Sequence, residues 1–166
     1  MVMKVLGLDL STTVCGYAVT EDKKILFAGF VDISDVVGYK EKADLIIAAL
    51  VGNSFEKIII EESLFGFAGG GTSQQVIIKL VKNKAVIGYI LENHYNIKVE
   101  SIHAQTARKK ALGAARIKGI KPKIYVKGAI DNLYDMTPWT IYNKIKNPDK
   151  RMEDVYDALV LSLAGA

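Results

Sequence analysis

The sequence predicts an α/β protein: a mixed five-stranded sheet, three antiparallel strands followed by parallel ones, with helices on both faces. Three observations predict it. Near the start, the apolar runs Lys4–Leu10, Cys15–Thr20 and Ile25–Ile33 are separated only by turn-length polar segments, the pattern of an antiparallel meander. Ile58, Ile59 and Ile60 form a run with no polar alternation, which marks an interior strand covered on both sides. Helical periodicities lie after each later strand.

In order, the first strand carries Asp9 inside an apolar run. Ser11, Thr12 and Thr13 supply the turn to the second strand, and Glu21–Lys24 the turn to the third. Tyr39–Val51 places Ala43, Ile46, Ile47 and Leu50 at helical spacing, and Gly52-Asn53 stops it. Phe55–Ile60 is the fourth strand, ending abruptly in Glu61-Glu62. A glycine-rich loop, Phe65–Gly71, precedes the longest helical pattern, 72–93, with Thr72-Ser73 as its N-cap. Ile97–Ile102 reads as the fifth strand. Gly113, Gly119 and Pro122 break the following segment into short helices. Lys123–Leu133 is helical and reaches the core, while Asp135–Asn147 is irregular. Lys150–Ala164 closes the chain as a helix with Met152, Val155, Tyr156, Leu159, Val160 and Leu163 on its apolar side. The first and fourth strands are expected side by side, so that the end of the fourth lies near Asp9.

A length of 166 residues fits a single domain with a true core. The lone cysteine, Cys15, excludes an intrachain disulfide framework and reads as packing material in a reducing compartment. No apolar run approaches the ~20 residues of a membrane span, and Asp9 interrupts the only early one. A cytoplasmic protein is expected. The formal net charge is +4, unevenly spread. Ser101–Ile130 holds eight basic residues (Arg108, Lys109, Lys110, Arg116, Lys118, Lys121, Lys123 and Lys127) and no acidic one. The rest of the chain is acidic on balance, so this segment is a candidate polyanion-binding surface.

A carboxylate in a strand as apolar as the first needs hydrogen bonds or a cation, because an unpaired buried charge costs several kcal/mol. Partners are at hand. Glu61 or Glu62 emerges from the fourth strand, and alternation lets only one of them face Asp9. On the last helix Asp154 and Asp157 share a face at a spacing of three. Oxygen-only ligands suit hard cations such as Mg²⁺ or Mn²⁺. A pair of such ions activates water and stabilises a leaving phosphodiester oxygen.

GLDLSTTVCGYAV, IIIEES and the terminal EDVYDALVLSLA, in this order, resemble the RuvC-type Holliday junction resolvases of the RNase H-like (retroviral integrase) superfamily. The resemblance implies a metal-dependent endonuclease with Asp9, Glu61, Asp154 and Asp157 as catalytic metal-binding acids, two Mg²⁺ per subunit, and Mn²⁺ as a substitute. It implies a homodimer, through the helix 72–93, that cuts four-way junctions by paired symmetrical nicks. Lys110 and Lys121, or Lys123, would approach the scissile phosphate, with Arg108, Lys109, Arg116 and Lys118 along the DNA. Phe65 or Phe67 would stack on bases at the junction core. The FGFAGGG loop and the region Asp135–Asn147 depart from the common bacterial pattern and point to a divergent branch of the kind bacteriophages carry. Three alternatives remain: a less selective nuclease of the same fold, a noncatalytic DNA-binding module, and an ATP-binding domain of the actin and sugar-kinase class, whose phosphate loop resembles GLDLSTT.

Overall fold

The computed structural model describes residues 2–63 and 73–166. Strands β1 (Lys4–Leu10), β2 (Val14–Glu21) and β3 (Lys24–Asp32) form the expected meander. Asp22 and Lys23, both at positive φ (48° and 59°), make its tight second turn. A primed turn of this kind matches the right-handed twist of the strands it joins. Helix α1 (Tyr39–Ala49) leads to β4 (Lys57–Glu61), which pairs parallel to β1 with Leu8 opposite Ile60. Helix α2 (Gln74–Tyr95) then crosses to β5 (Val99–Ile102), parallel to β4. The sheet order is β3-β2-β1-β4-β5, so β1 is central.

Helix α2 starts at Ser73, whose hydroxyl accepts from the Val76 amide, and ends where Asn96 turns left-handed (φ 53°). It therefore runs two residues beyond the end expected from periodicity, because Asn tolerates that conformation and the apolar spacing alone does not locate a stop. The basic segment forms α3 (Ala104–Leu112), closed by Gly113 at φ 87°, and α4 (Pro122–Leu133), opened by Pro122. Residues 134–150 contain only a 3₁₀ turn and one isolated bridge, Tyr142 to Pro148, before α5 (Met152–Gly165).

Strand alternation sorts the core into two layers. Leu6, Leu8 and Leu10 of β1 and Ile58 and Ile60 of β4 pack with Ala43, Ile46 and Leu50 of α1 and with Ile87 and Leu91 of α2. Val5 and Ile59 face the other way, toward Val126 and Ile130 of α4 and the apolar side of α5. Asp9 follows Val5 and Gly7 on this second face, and Glu61 follows Ile59. Both acids thus point to the α5 side.

Helix α5 lies very close to the sheet. Gly7 and Gly16 make that possible: a Cβ on Gly7 would lie 2.5 Å from the Ser162 amide nitrogen and overlap the Ala158 carbonyl, and one on Gly16 would lie 2.9 Å from the Asp154 Cβ. The buried Ser162 hydroxyl donates to the Val5 carbonyl at 2.6 Å and is 2.6 Å from the Thr20 hydroxyl, tying α5 to β1 and β2 together. Gly7→Ala is therefore expected to lower stability by about 1–3 kcal/mol through overpacking. The urea midpoint of the variant against the native chain measures this, and an unchanged midpoint would contradict the close approach. Among the described residues no helix is long and apolar enough to cross a membrane.

Candidate metal centre and nucleic-acid interface

Asp9 sits opposite Gly16 in the β1–β2 register. Gly16 is also where the backbone of Asp154 rests, so one contact sets the first turn of α5 beside Asp9. The start of α5 is held from outside as well. Asp149 accepts from the Arg151 amide at 2.9 Å and from its guanidinium at 2.9 and 2.8 Å. Arg151 reaches on to Asp32 at the end of β3 (2.9 Å) and lies 4.5 Å from the centre of the Phe30 ring. These contacts hold Asp149 ionised, with its pKa lowered to about 2.

The Asp9 and Asp154 carboxyls lie within hydrogen-bonding reach of one another. Burial raises the pKa of Asp9 well above the carboxylate range; the charges of Asp157, Glu61 and Asp154 raise it further, and Lys84 opposes them. Burial and then Glu61 push Asp157 up to about 6, with Asp154 adding to the rise and Lys123 and Arg108 resisting it. Burial also raises Asp154, against the Asp9 hydrogen bond and Lys123. Four acids from β1, β4 and α5 thus share one electrostatic site. Glu61, on the Asp9 face and half-buried, belongs to it, whereas Glu62 is exposed.

Among the described residues, no three acidic, histidine or cysteine side chains close into a ready-made metal cage. Mutual repulsion between carboxylates opposes such closure until a cation neutralises it. The donor set nevertheless suits a hard divalent ion: carboxylate oxygens gathered in one site, with burial first and neighbouring carboxylates after it raising three of their pKa values. Cys15 is fully buried, and burial followed by the charges of Asp9 and Asp154 raises its thiol pKa. It is a packed thiol and no candidate ligand.

Of the predicted basic residues, Arg108 and Lys123 reach the acids. With Glu61 and Asp157 they line a cleft of about 230 Å³, walled by Ala107 and Pro122. Arg108 is steadied by its Nε donating to the Ala104 carbonyl at 3.2 Å, and Lys123 pairs with Glu153. Lys109 and Lys110 are exposed on the outer side of α3, Arg116 and Lys118 on the α3–α4 connection, and Lys121 at the N-cap of α4. None of these five lines the cleft. Phe65 and Phe67 lie outside the described residues.

Two site neighbours were missed at the level of sequence. Lys84 of α2, only 6% exposed, donates to the Glu61 carbonyl at 3.2 Å, and its ammonium is 3.9 Å from Glu61 Oε1. Next to it Asn83, 1% exposed, donates to the Ser11 carbonyl at 2.7 Å. The signal was present: Lys84 occupies a place in the stripe Leu80, Ile87, Leu91 that should be apolar.

No protein-family model and no curated protein matches this sequence. Solved structures do match in fold. Thermus thermophilus RuvC in complex with a Holliday junction substrate superposes with a TM-score of 0.63 at 18% identity, over 98% of this chain and 92% of that one. The yeast mitochondrial Holliday junction resolvase gives 0.61 at 14% identity, over 96% of this chain and 76% of that one. The fowlpox virus resolvase with its junction DNA gives 0.51 at 18% identity, over 98% and 96%. The chain has the RNase H-like fold of these resolvases.

Proposed function

We propose that this protein is a divalent-cation-dependent endonuclease that resolves Holliday junctions and related branched DNA by paired symmetrical nicks. The observation that carries the reading is the meeting of Asp9, Glu61, Asp154 and Asp157 from three separate elements, beside a cleft that also holds Arg108 and Lys123. The fold shared with junction resolvases supports it. Asp9, Glu61, Asp154 and Asp157 would hold Mg²⁺, or Mn²⁺ in its place. Such a pair of ions supplies an activated water and a stabilised leaving oxygen for phosphodiester hydrolysis.

The chain's own cations do the rest. Arg108 and Lys123 neutralise charge on the phosphate in the cleft. Lys109, Lys110, Arg116, Lys118 and Lys121, exposed beyond it, track the flanking backbone, and Phe65 or Phe67 stacks on bases at the branch point. Paired nicking needs two sites. Ile78, Val86 and Tyr89 are 50%, 37% and 68% exposed at spacings of eight and three along α2. They give that helix an apolar outward stripe on which a homodimer would form.

The test is incubation of a synthetic four-way junction with the protein and Mg²⁺, with linear duplex and RNA–DNA hybrid alongside. Symmetrical nicks in the junction support the reading, and equal cutting of all three substrates reduces it to a less selective nuclease. No cutting of any of them with Mg²⁺ or Mn²⁺ overturns it. Changing Arg116 and Lys118 together to Gln is expected to flatten the dependence of log affinity on log salt by about 1–2, through lost counterion release. A slope equal to that of the native chain would remove these two from the DNA path.

A further inference from the structure

Among the described residues, the most buried charged side chain lies outside the acidic cluster, on the opposite helix layer. Lys84 belongs to α2, whose Ile87 and Leu91 pack on the face of the sheet that Asp9 and Glu61 turn away from. Its side chain comes round the C-terminal end of β4 to reach Glu61. A buried ammonium costs several kcal/mol unless its donors are used and its charge is matched. Here one hydrogen bond goes to a neutral carbonyl at 3.2 Å, and the nearest carboxylate oxygen of Glu61 is 3.9 Å away. Among the described residues no close single partner balances the charge. Its field lowers the pKa of Asp9 across the β1–β4 pair, while Lys123 faces Asp154 and Asp157, and Arg108 faces Asp157, from the other helix layer.

The neighbouring residue makes the placement deliberate. Asn83 holds the Ser11 carbonyl, two residues past Asp9, while Lys84 holds the carbonyl of Glu61 itself. Consecutive residues of one helix therefore grip the ends of both acid-bearing strands.

We propose that Lys84 is the resident counter-cation of the strand-borne half of the acidic cluster, Asp9 and Glu61, a positioning residue that lets these carboxylates stay folded beside Asp154 and Asp157 before any divalent ion arrives. The proposal rests on the reading of that cluster as a divalent-cation site. In the metal-free chain the lysine supplies positive charge at the Glu61 side. When a divalent ion binds, that ion takes over most of the neutralisation. The contributions of lysine and metal to stability are then partly redundant, so removing one magnifies the effect of the other.

Thermal unfolding of the full chain, with and without saturating Mn²⁺, tests this. Lys84→Met removes charge and hydrogen bond, Lys84→Gln removes the charge but keeps a polar donor, and Lys84→Arg keeps charge. In Met and Gln variants the Mn²⁺-induced rise in melting temperature is expected to be roughly twice that of the native chain, with the Arg variant close to native. A Met variant that folds only with Mn²⁺ is the same result in extreme form. Should Lys84 matter only through packing, the variants lose the same stability with and without Mn²⁺, and an unchanged rise in Met and Gln overturns the proposal. So does a Gln variant that matches the native chain, or a Met variant that Mn²⁺ cannot fold. If the native chain itself gains nothing from Mn²⁺, the metal-site reading fails, and the counter-cation role falls with it.

Discussion

Asp9→Asn is expected to abolish junction cutting, by at least about a thousandfold (~4 kcal/mol of activation free energy), while junction binding stays equal or tightens. The two halves of this result have one cause. Asp9 shares its site with Glu61 on β4 and Asp154 and Asp157 on α5, so under the proposed function removing its charge would deprive a hard cation of one of its four carboxylates. The same change takes a negative charge away from the place where a DNA phosphate would approach. An amide also fits the site at little cost, because the carboxyl it replaces is buried among like charges and has a raised pKa. The metal-free variant should therefore melt at or above the native temperature. Gel-shift binding, junction cleavage and melting of one preparation separate these effects. Cutting at the native rate would take Asp9 out of the mechanism.

The second large effect is on stability against pH. Asp157 has its pKa pushed from an ordinary 3.8 to about 6 in the folded chain. A carboxyl raised in this way binds its proton more tightly folded than unfolded. Its contribution to stability is fully present below pH 3.8 and is lost as pH rises through about 6. The shift corresponds to about 3 kcal/mol, or about 6–12 °C of melting temperature for a chain of this length. Asp9 and Asp154 are raised too and act in the same direction. Without metal, the protein is thus expected to lose stability between about pH 4 and pH 7, and Asp157→Asn should remove much of that loss. Saturating Mg²⁺ should oppose the trend, because deprotonated carboxylates bind the ion and its stabilisation grows as pH rises. Melting curves of both proteins across this range, with EDTA or with Mg²⁺, measure it. A metal-free melting temperature that climbs steadily from pH 4 to pH 7 would contradict the burial of these acids.

Both expectations depend on how the chain comes together, and only part of that is legible in the residues. The meander was legible because its turns are of hairpin length and its strands are apolar. The interior position of β4 followed from three consecutive isoleucines that leave no face for water. Asp9, Asp154 and Asp157 stood out because charge in such apolar surroundings demands a partner. Asp149–Arg151 left no comparable mark, since the ring that anchors α5 to β3 closes only when Asp32 arrives from a distant strand.

The amino-acid sequence by itself determined the kind of sheet, the acids that interrupt its apolar runs, and the basic segment set against them, because periodicity and solvation act on neighbours along the chain. Tertiary structure decided between Glu61 and Glu62, since the parallel pairing of β4 with β1 sets which carboxylate shares the face of Asp9. It brought Arg108 and Lys123 to the acids and left Lys110 and Lys121 outside the cleft, because helix orientation sorts lysines that look alike in sequence. It also carried Lys84 across from the other layer. Electrostatic energy falls with distance through space, and chain position does not measure that distance.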